Sequence, residues 1–512
     1  MAPGILQDPG FASAESQPAK KRRLTVPVPV QHDDEEEVAT AVPPHPLGVK
    51  PAGNAYTASD NLKSRCGSFA RLPDELLNHI LESFDADALV RLGSTCRALY
   101  AFTRLDELWR ALFVGSSPEN FTWRGTWRAT YLNTPPSNIT SIPCPNLFTD
   151  ILYRPFQCAH TPLTPYVTSI PPSNLIPRLP DLTQEEYTAA WTDKPFILTD
   201  PVKQWPVYGK WTSQYLLEHF PDTKFTAEAV DWPLSTYMDY LSNNADESPL
   251  YLFDRLFAAK THIATDLPAH HGDAAYWTPS CFGDDLFAVL GPQRPDCRWM
   301  ILGPARSGST FHKDPNATSA WNAVLTGRKY WLMFPSGGAH PPPPGILLSA
   351  DQSEITAPLS IAEYLLSFHA LARATPGARE GICHAGEVLH VPSGWFHLVL
   401  NLDESLALTQ NFVPRARLPD VLGFMRDRRD QVSGFKDDVA DHAYELFVQR
   451  LSDTHPEILA EALEKLEQRA RPGRWERLTK GAGEGEGEGE GEGARGGFSF
   501  GFAGDESDAD IP

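Results

Sequence analysis

Between residues 181 and 415 the chain repeats one pattern. Short runs of Val, Ile, Leu and aromatic residues alternate with Gly/Pro turns. Examples are KPFILTD, SPLYLFD, RWMILGP, KYWLMFP, EVLHVPSGW and FHLVLNL. Many short strands joined by frequent turns pack as a sandwich or barrel. A mainly β domain of about 235 residues, ample for one large core, is therefore the central expectation.

The flanks read differently. Residues 1–67 mix Pro, Ala, Ser and charge without a period and are expected to be disordered. They contain the basic run Lys20-Lys21-Arg22-Arg23, which an import receptor can read; a nuclear location follows, with the cytoplasm as the other compartment that suits the chain. Within residues 68–114, Leu76, Leu77, Ile80, Leu81 and Phe84 recur at helical spacing, as do Leu89, Leu92, Cys96 and Leu99. About three short helices are predicted there, with Pro73 near the first turn. Residues 115–180 are Pro-rich with scattered aromatics and read as an irregular linker packed on the neighbouring β domain. Residues 416–478 return to helical periodicity, either capping the open end of the barrel or making a homodimer. Residues 479–512 form a Gly/Glu tail that is expected to be disordered.

Charge and cysteine content narrow the class. The net charge is −21, and residues 481–512 hold nine acidic groups against one arginine. Bulk nucleic-acid binding needs clustered Lys and Arg, so direct binding is not expected. No apolar run is long enough to span a membrane. The seven cysteines never fall at C-x-x-C spacing, which argues against a cysteine-built zinc site and a disulfide framework. Three glycosylation sequons, at Asn120, Asn138 and Asn316, are read as chance.

One segment carries chemistry. In GSTFHKDP, His312 and Asp314 are two apart, and on a strand such residues face the same side. His397 follows the turn PSGW and enters an apolar strand. Two His and one carboxylate are the facial triad of non-haem Fe(II) oxygenases, which leaves coordination positions open for a co-substrate and O2. Around the triad, Lys329 can pair with the carboxylate of a bound acid. Thr409 and Tyr251 offer hydroxyls, and Asn322 a donor to an oxygen ligand. Asn411 is expected to line the pocket. His384 and His390 are rival third ligands read as structural, and His270, His271 and His340 as loop residues. Asn401 is either a supporting group or a polar strand end.

Two resemblances follow. LPDELLNHIL, TCRAL and LWR look like an F-box over about 47 residues. This implies docking of a Skp-type adaptor of cullin–RING ubiquitin ligases, with Leu72, Pro73, Leu76, Leu77 and Ile80 as the contact face. SGSTFHKDPNATSAWNAVLTGRKYWLMFP, GEVLHVPSGWFHLVLNL and LALTQNFV resemble the JmjC domain of the phosphatidylserine-receptor-like group, the bifunctional arginine demethylases and lysyl hydroxylases among the 2-oxoglutarate oxygenases. The resemblance covers roughly 240 residues. It implies a cupin-like double-stranded β-helix, a jelly-roll relative. It implies Fe(II) on His312, Asp314 and His397, with the distal carboxylate of 2-oxoglutarate on Lys329, Thr409 and Tyr251 and with Asn322 nearby.

The implied activity couples decarboxylation of 2-oxoglutarate to hydroxylation of a substrate C–H bond, with O2 as oxidant. On a side-chain carbon the product is an alcohol; on an N-methyl group the product loses formaldehyde, which is demethylation. The leading expectation is a protein hydroxylase acting on lysine, because zinc-binding reader modules of chromatin demethylases are not seen. N-methyl-arginine or N-methyl-lysine demethylation is the alternative within the class. An F-box substrate adaptor whose JmjC domain only recognises protein is the alternative outside it. The negative charge of the folded region suits a basic substrate segment.

Overall fold

The computed structural model describes residues 42–265, 272–337 and 340–470. Among these residues there are fifteen strands: β1 (Arg178–Leu179), β2 (Phe196–Leu198), β3 (Lys224–Ala227), β4 (Val230–Pro233), β5 (Leu252–Asp254), β6 (Arg298–Gly303), β7 (Gly308–His312), β8 (Ser319–Thr326), β9 (Arg328–Phe334), β10 (Leu347–Leu348), β11 (Ile355–Thr356), β12 (Arg379–His384), β13 (Glu387–Val391), β14 (Phe396–Asn401) and β15 (Ser405–Phe412). Nine form one sheet in the order β1-β2-β13-β8-β15-β6-β5-β3-β4, and four form a second in the order β12-β9-β14-β7. Every ladder of these two sheets is antiparallel except β1–β2. The chain crosses repeatedly between the two sheets, as a double-stranded β-helix requires.

Strand parity sorts the side chains into three layers. On β9, Tyr330, Leu332 and Phe334 join the core under the helix Ile361–Ala374, while Trp331 and Met333 point between the sheets. On β14, Phe396, Leu398 and Leu400 share that outer core, while Val399 faces inward. On β8, Trp321, Ala323 and Leu325 lie in the outer core of the larger sheet, and Ala320 and Val324 line the interior. Each fully buried large side chain of this kind contributes about 1.5–3 kcal/mol. The same parity places Asn322, Lys329, His397, Asn401, Thr409 and Asn411 on the inner faces. Polar residues therefore sit where an unbroken hydrophobic interior would be more stable.

The N-terminal module differs from expectation in three ways. Four helices stand in place of about three: Asp74–Leu81, Ala86–Gly93, Arg97–Phe102 and Asp106–Ser116. Residues 42–67, read as disordered, are ordered: Val49 is buried, Lys50 N–H donates to Leu147 O at 3.0 Å and Leu62 N–H to Asn146 O at 2.9 Å. Backbone pairing with a distant segment is a tertiary effect that composition does not reveal. The segment 115–180 is more regular than a linker and holds the helices Trp127–Tyr131 and Asp150–His160. It joins the module to the barrel through an aromatic cluster in which Trp127 lies 5.5 Å from Phe113 and 5.8 Å from Trp232.

Of the expected docking residues, Leu77 is fully buried in the chain's own core and is removed from that face. Leu76 is 45% exposed and Val90, on the next helix, 40%. At the other end, Phe447 of the helix Ala443–Thr454 packs 4.8 Å from Phe287 of the same chain. That face is thus used within the chain. The basic run at 20–23, His270, His271 and the Gly/Glu tail lie outside the described residues. The cysteines form no disulfide among the described residues, and no helix there is long and apolar enough to cross a membrane.

Candidate metal centre and co-substrate pocket

His312 and His397 are direct cross-strand partners on β7 and β14, with ring centroids 4.1 Å apart. The ladder is irregular just beyond His397, and a bulge of this kind is a usual means of aiming a side chain. Asp314 follows two residues after His312 in extended conformation (φ −63°, ψ 146°), so its carboxylate returns to the same side. One ligand atom from each of the three lies within 4.8 Å of the others, and His397 Nε2 is 4.0 Å from Asp314 Oδ1.

The tautomers are prepared locally. His312 Nδ1 donates to Thr310 O at 2.8 Å, and His397 Nδ1 donates to Trp395 O at 3.1 Å. Each bond uses the carbonyl two residues earlier and leaves Nε2 as the nitrogen a metal would take. Burial raises the Asp314 carboxyl above the usual range, opposed by His312 and by a hydrogen bond from Asn411. Burial, aided by His312, pushes His397 well below its ordinary value, so it is neutral. Asp314 Oδ2 is buried without a partner. Two imidazoles that each donate through Nδ1 to backbone, and a carboxylate with an orphaned oxygen, suit a divalent cation such as Fe(II), which would satisfy all three at once.

Deeper in the interior, Lys329 is fully buried and donates to Tyr251 OH at 2.6 Å. Burial pulls its pKa from 10.5 down to about 7. No carboxylate among the described residues pairs with it. A buried ammonium without a counter-ion is costly, and a ligand carboxylate would offset that cost. Space for Tyr251 comes from Gly303, where a Cβ would run into the Tyr251 ring, Ser307 Oγ and Asn401 Nδ2. Asn401 donates to Ser307 Oγ at 2.9 Å, which makes it a support at this end of the barrel. The amide oxygens of Asn322 and Asn401 are buried without partners, so the interior holds polar capacity that the protein alone does not satisfy.

Two expected pocket residues have additional roles. Thr409 faces inward, but its hydroxyl donates to Trp321 O at 2.8 Å, so serving a ligand as donor means exchanging that bond. Asn411 donates to Thr318 Oγ1 at 2.9 Å and also bonds Asp314, so it supports that candidate ligand. Of the rival ligands, His390 lies on the opposite face of β13, bonded to Tyr187 OH at 3.2 Å and Lys194 O at 3.1 Å and held neutral near pKa 3 by burial. His384 and His340 are exposed.

Asn316, whose sequon is read as chance, has a structural role instead: its side chain is buried and occupied. It is buried and left-handed (φ 54°); Ala317 beside it is left-handed too (φ 55°), and the pair turns the chain from Asp314 into β8. Its side chain donates to Ser433 O at 2.9 Å and accepts from Ser433 N–H at 3.0 Å. Asn tolerates this backbone region better than most residues. The pattern D-P-N that begins with the candidate ligand Asp314 was the available signal.

The comparisons with known proteins agree with this architecture. The cupin-like domain model matches residues 180–417, and the F-box-like model matches residues 69–114. The chain is 34% identical to the arginine-specific demethylase JMJ22 of Arabidopsis thaliana, over 84% of this chain and 86% of that protein. It is 30% identical to the bifunctional arginine demethylase and lysyl-hydroxylase psr-1 of Caenorhabditis elegans, over 54% of this chain and 68% of that protein. It is 27% identical to the 2-oxoglutarate and iron-dependent oxygenase JMJD4 of Danio rerio, over 50% of this chain and 61% of that protein. The resemblance stated from the metal motif is thus the family itself: the chain belongs to the JmjC group of cupin-like oxygenases and carries an F-box-like module ahead of the catalytic domain.

Proposed function

We propose that the protein is an Fe(II)- and 2-oxoglutarate-dependent dioxygenase that oxidises a basic side chain of a protein substrate, with lysine hydroxylation as the leading reaction. The observation that carries this reading is the pairing of two unsatisfied features on one interior. One is the set of two histidines and a carboxylate with an orphaned oxygen; the other is a buried Lys329 without an acid partner. His312, Asp314 and His397 would hold the iron. Lys329 and Tyr251 would hold the distal carboxylate of 2-oxoglutarate, with Asn322 and Thr409 on the neighbouring inner faces. When bound, the iron supplies the O2 activation that no side chain here can perform. Ala320, Val324, Met333, Leu389 and Val399 wall the interior with apolar surface and exclude water.

N-methyl-arginine demethylation is the second reading. It is favoured by the similarity to JMJ22, which spans most of both chains. In both cases one oxygen atom of O2 enters the substrate and the other enters succinate; demethylation adds only the loss of formaldehyde from the hydroxylated N-methyl group. The complete set of polar residues argues against a JmjC domain that recognises protein without turnover.

The F-box-like module offers Leu76, Val90 and the half-buried Ile80 to a Skp-type adaptor, and the Lys20–Arg23 run is proposed as a nuclear address. The deciding experiment is mass spectrometry of basic peptides after incubation with wild type or His312→Ala, iron and 2-oxoglutarate. A gained hydroxyl on lysine supports the leading reaction, and a lost methyl on arginine the second. No succinate from wild type, across both peptide classes and with iron bound, would overturn the enzyme reading.

A further inference from the structure

Tyr251 is held by the helical module as well as by the barrel. Strand β5 begins only at Leu252, so the backbone just before it, Ser248 to Tyr251, is fixed by side chains. Tyr237 OH donates to Leu250 O at 3.0 Å from the barrel side, and two further lines of hydrogen bonds start on Asp106–Ser116, the last helix of the F-box-like module. In the first, the Asp106 carboxylate accepts the backbone N–H of Trp127 and of Arg128, each at 2.9 Å. Trp127 Nε1 donates to Asp246 at 2.8 Å, Asp246 accepts from Tyr240 OH at 2.7 Å, and Tyr240 OH in turn accepts Leu250 N–H at 2.7 Å. In the second, Arg110 donates to Ser248 O at 3.1 Å and to Glu228 Oε2 at 2.7 Å. The other oxygen of Glu228 accepts Tyr251 N–H at 3.3 Å.

Glu228 stands in the turn between β3 and β4 with φ +51°, a region that costs any side chain other than Gly, Asn or Asp. A strained position held by a bridging carboxylate suggests a use for that carboxylate. Tyr251, the residue that it fixes, is the hydrogen-bond partner of Lys329.

We propose that Arg110 and Glu228 are positioning residues for Tyr251, and that the helical module is thereby part of the co-substrate pocket as well as a docking surface. This rests on the assignment of Lys329 and Tyr251 to the distal carboxylate. Loosening the bridge lets the backbone before β5 drift, the phenol leaves its place beside Lys329, and 2-oxoglutarate binds less tightly. Metal binding on β7 and β14 is untouched.

The test uses full-length protein loaded with Mn(II) in place of iron, with 2-oxoglutarate binding read by calorimetry, and kcat and KM read separately on the iron form. Arg110→Met and Glu228→Gln are expected to weaken 2-oxoglutarate binding and raise its KM about tenfold, with kcat and Mn(II) affinity within about twofold of wild type. Arg110→Lys, which keeps the ion pair but not the two-pronged reach, should recover part of the loss. Lys329→Ala separates the two ideas. If it binds 2-oxoglutarate normally, the pocket assignment falls. If it loses binding while folded Arg110→Met and Glu228→Gln bind like wild type, the positioning proposal is overturned. An equal loss of Mn(II) affinity in these variants would also overturn it, since that marks general loosening. Should Arg110→Met fail to fold, Glu228→Gln alone decides, because its side chain is 42% exposed and the change keeps its shape.

Discussion

Replacing Lys329 with methionine should stabilise the ligand-free protein at neutral pH while abolishing its response to 2-oxoglutarate. Burial lowers the Lys329 pKa from 10.5 to about 7. A tenfold change in proton affinity corresponds to about 1.36 kcal/mol, so the charged form costs the folded state at most about 5 kcal/mol. Because the folded pKa is depressed for a base, the unfolded chain binds more protons between pH 7 and 10.5. Stability therefore rises with pH across that window, and the penalty is complete below it. Methionine removes this dependence. It also leaves Tyr251 OH without its present partner, a loss of about 1–3 kcal/mol that does not vary with pH here, since burial pushes the Tyr251 pKa up and out of the window. The stability difference, Lys329→Met minus wild type, should thus shrink by about 3 kcal/mol between pH 6.5 and 9.5, whatever its absolute size. Urea unfolding of the two proteins at several pH values measures it. Added 2-oxoglutarate should stabilise wild type and leave the variant unmoved. A difference that stays flat with pH would refute the buried-ammonium argument, and an undiminished ligand response in the variant would refute the assignment of Lys329 to the carboxylate.

Other outcomes are as specific. His312→Ala and Asp314→Ala should abolish succinate formation with the fold kept, and the rise in Tm on adding Mn(II) should vanish with it; retained turnover in both would remove the metal assignment. Asn316→Ala loses the clasp on Ser433 and should weaken Mn(II) binding about tenfold with 2-oxoglutarate contacts unchanged; equal affinity in a titration would show the clasp to be dispensable. Gly308→Ala would drive a Cβ into the Val399 carbonyl and force β7 from β14, at a cost above about 3 kcal/mol in denaturant unfolding. Leu76→Asp should end co-purification with a Skp-type adaptor without moving Tm, whereas Leu77→Asp, buried in the chain's own core, should unfold the module.

What the sequence could show depended on the distance over which each signal acts. H-x-D on a strand, the β-strand parity and the PSGW turn before His397 are local. The candidate triad His312, Asp314 and His397, the candidate Lys329 and a domain of many short strands were therefore legible from residue order together with the family resemblance. The F-box-like helices were legible for the same reason, since helical periodicity is a short-range pattern.

Other features needed the tertiary structure. Whether Leu76 or Leu77 faces outward depends on what lies beneath the helix, and the helix sequence alone does not say. The order of residues 42–67 comes from hydrogen bonds to 146–150, about a hundred residues away. That Thr409 already spends its hydroxyl on Trp321 O and that Asn411 supports Asp314 are matters of neighbouring strands. The bridge from Arg110 through Glu228 to Tyr251 joins three separate stretches of chain, and only their packing brings them together. The sequence by itself determined the chemistry, because strand parity and residue type are properties of adjacent positions. The tertiary structure decided how the helical module and the oxygenase interior share one framework, because that depends on contacts between residues far apart along the chain.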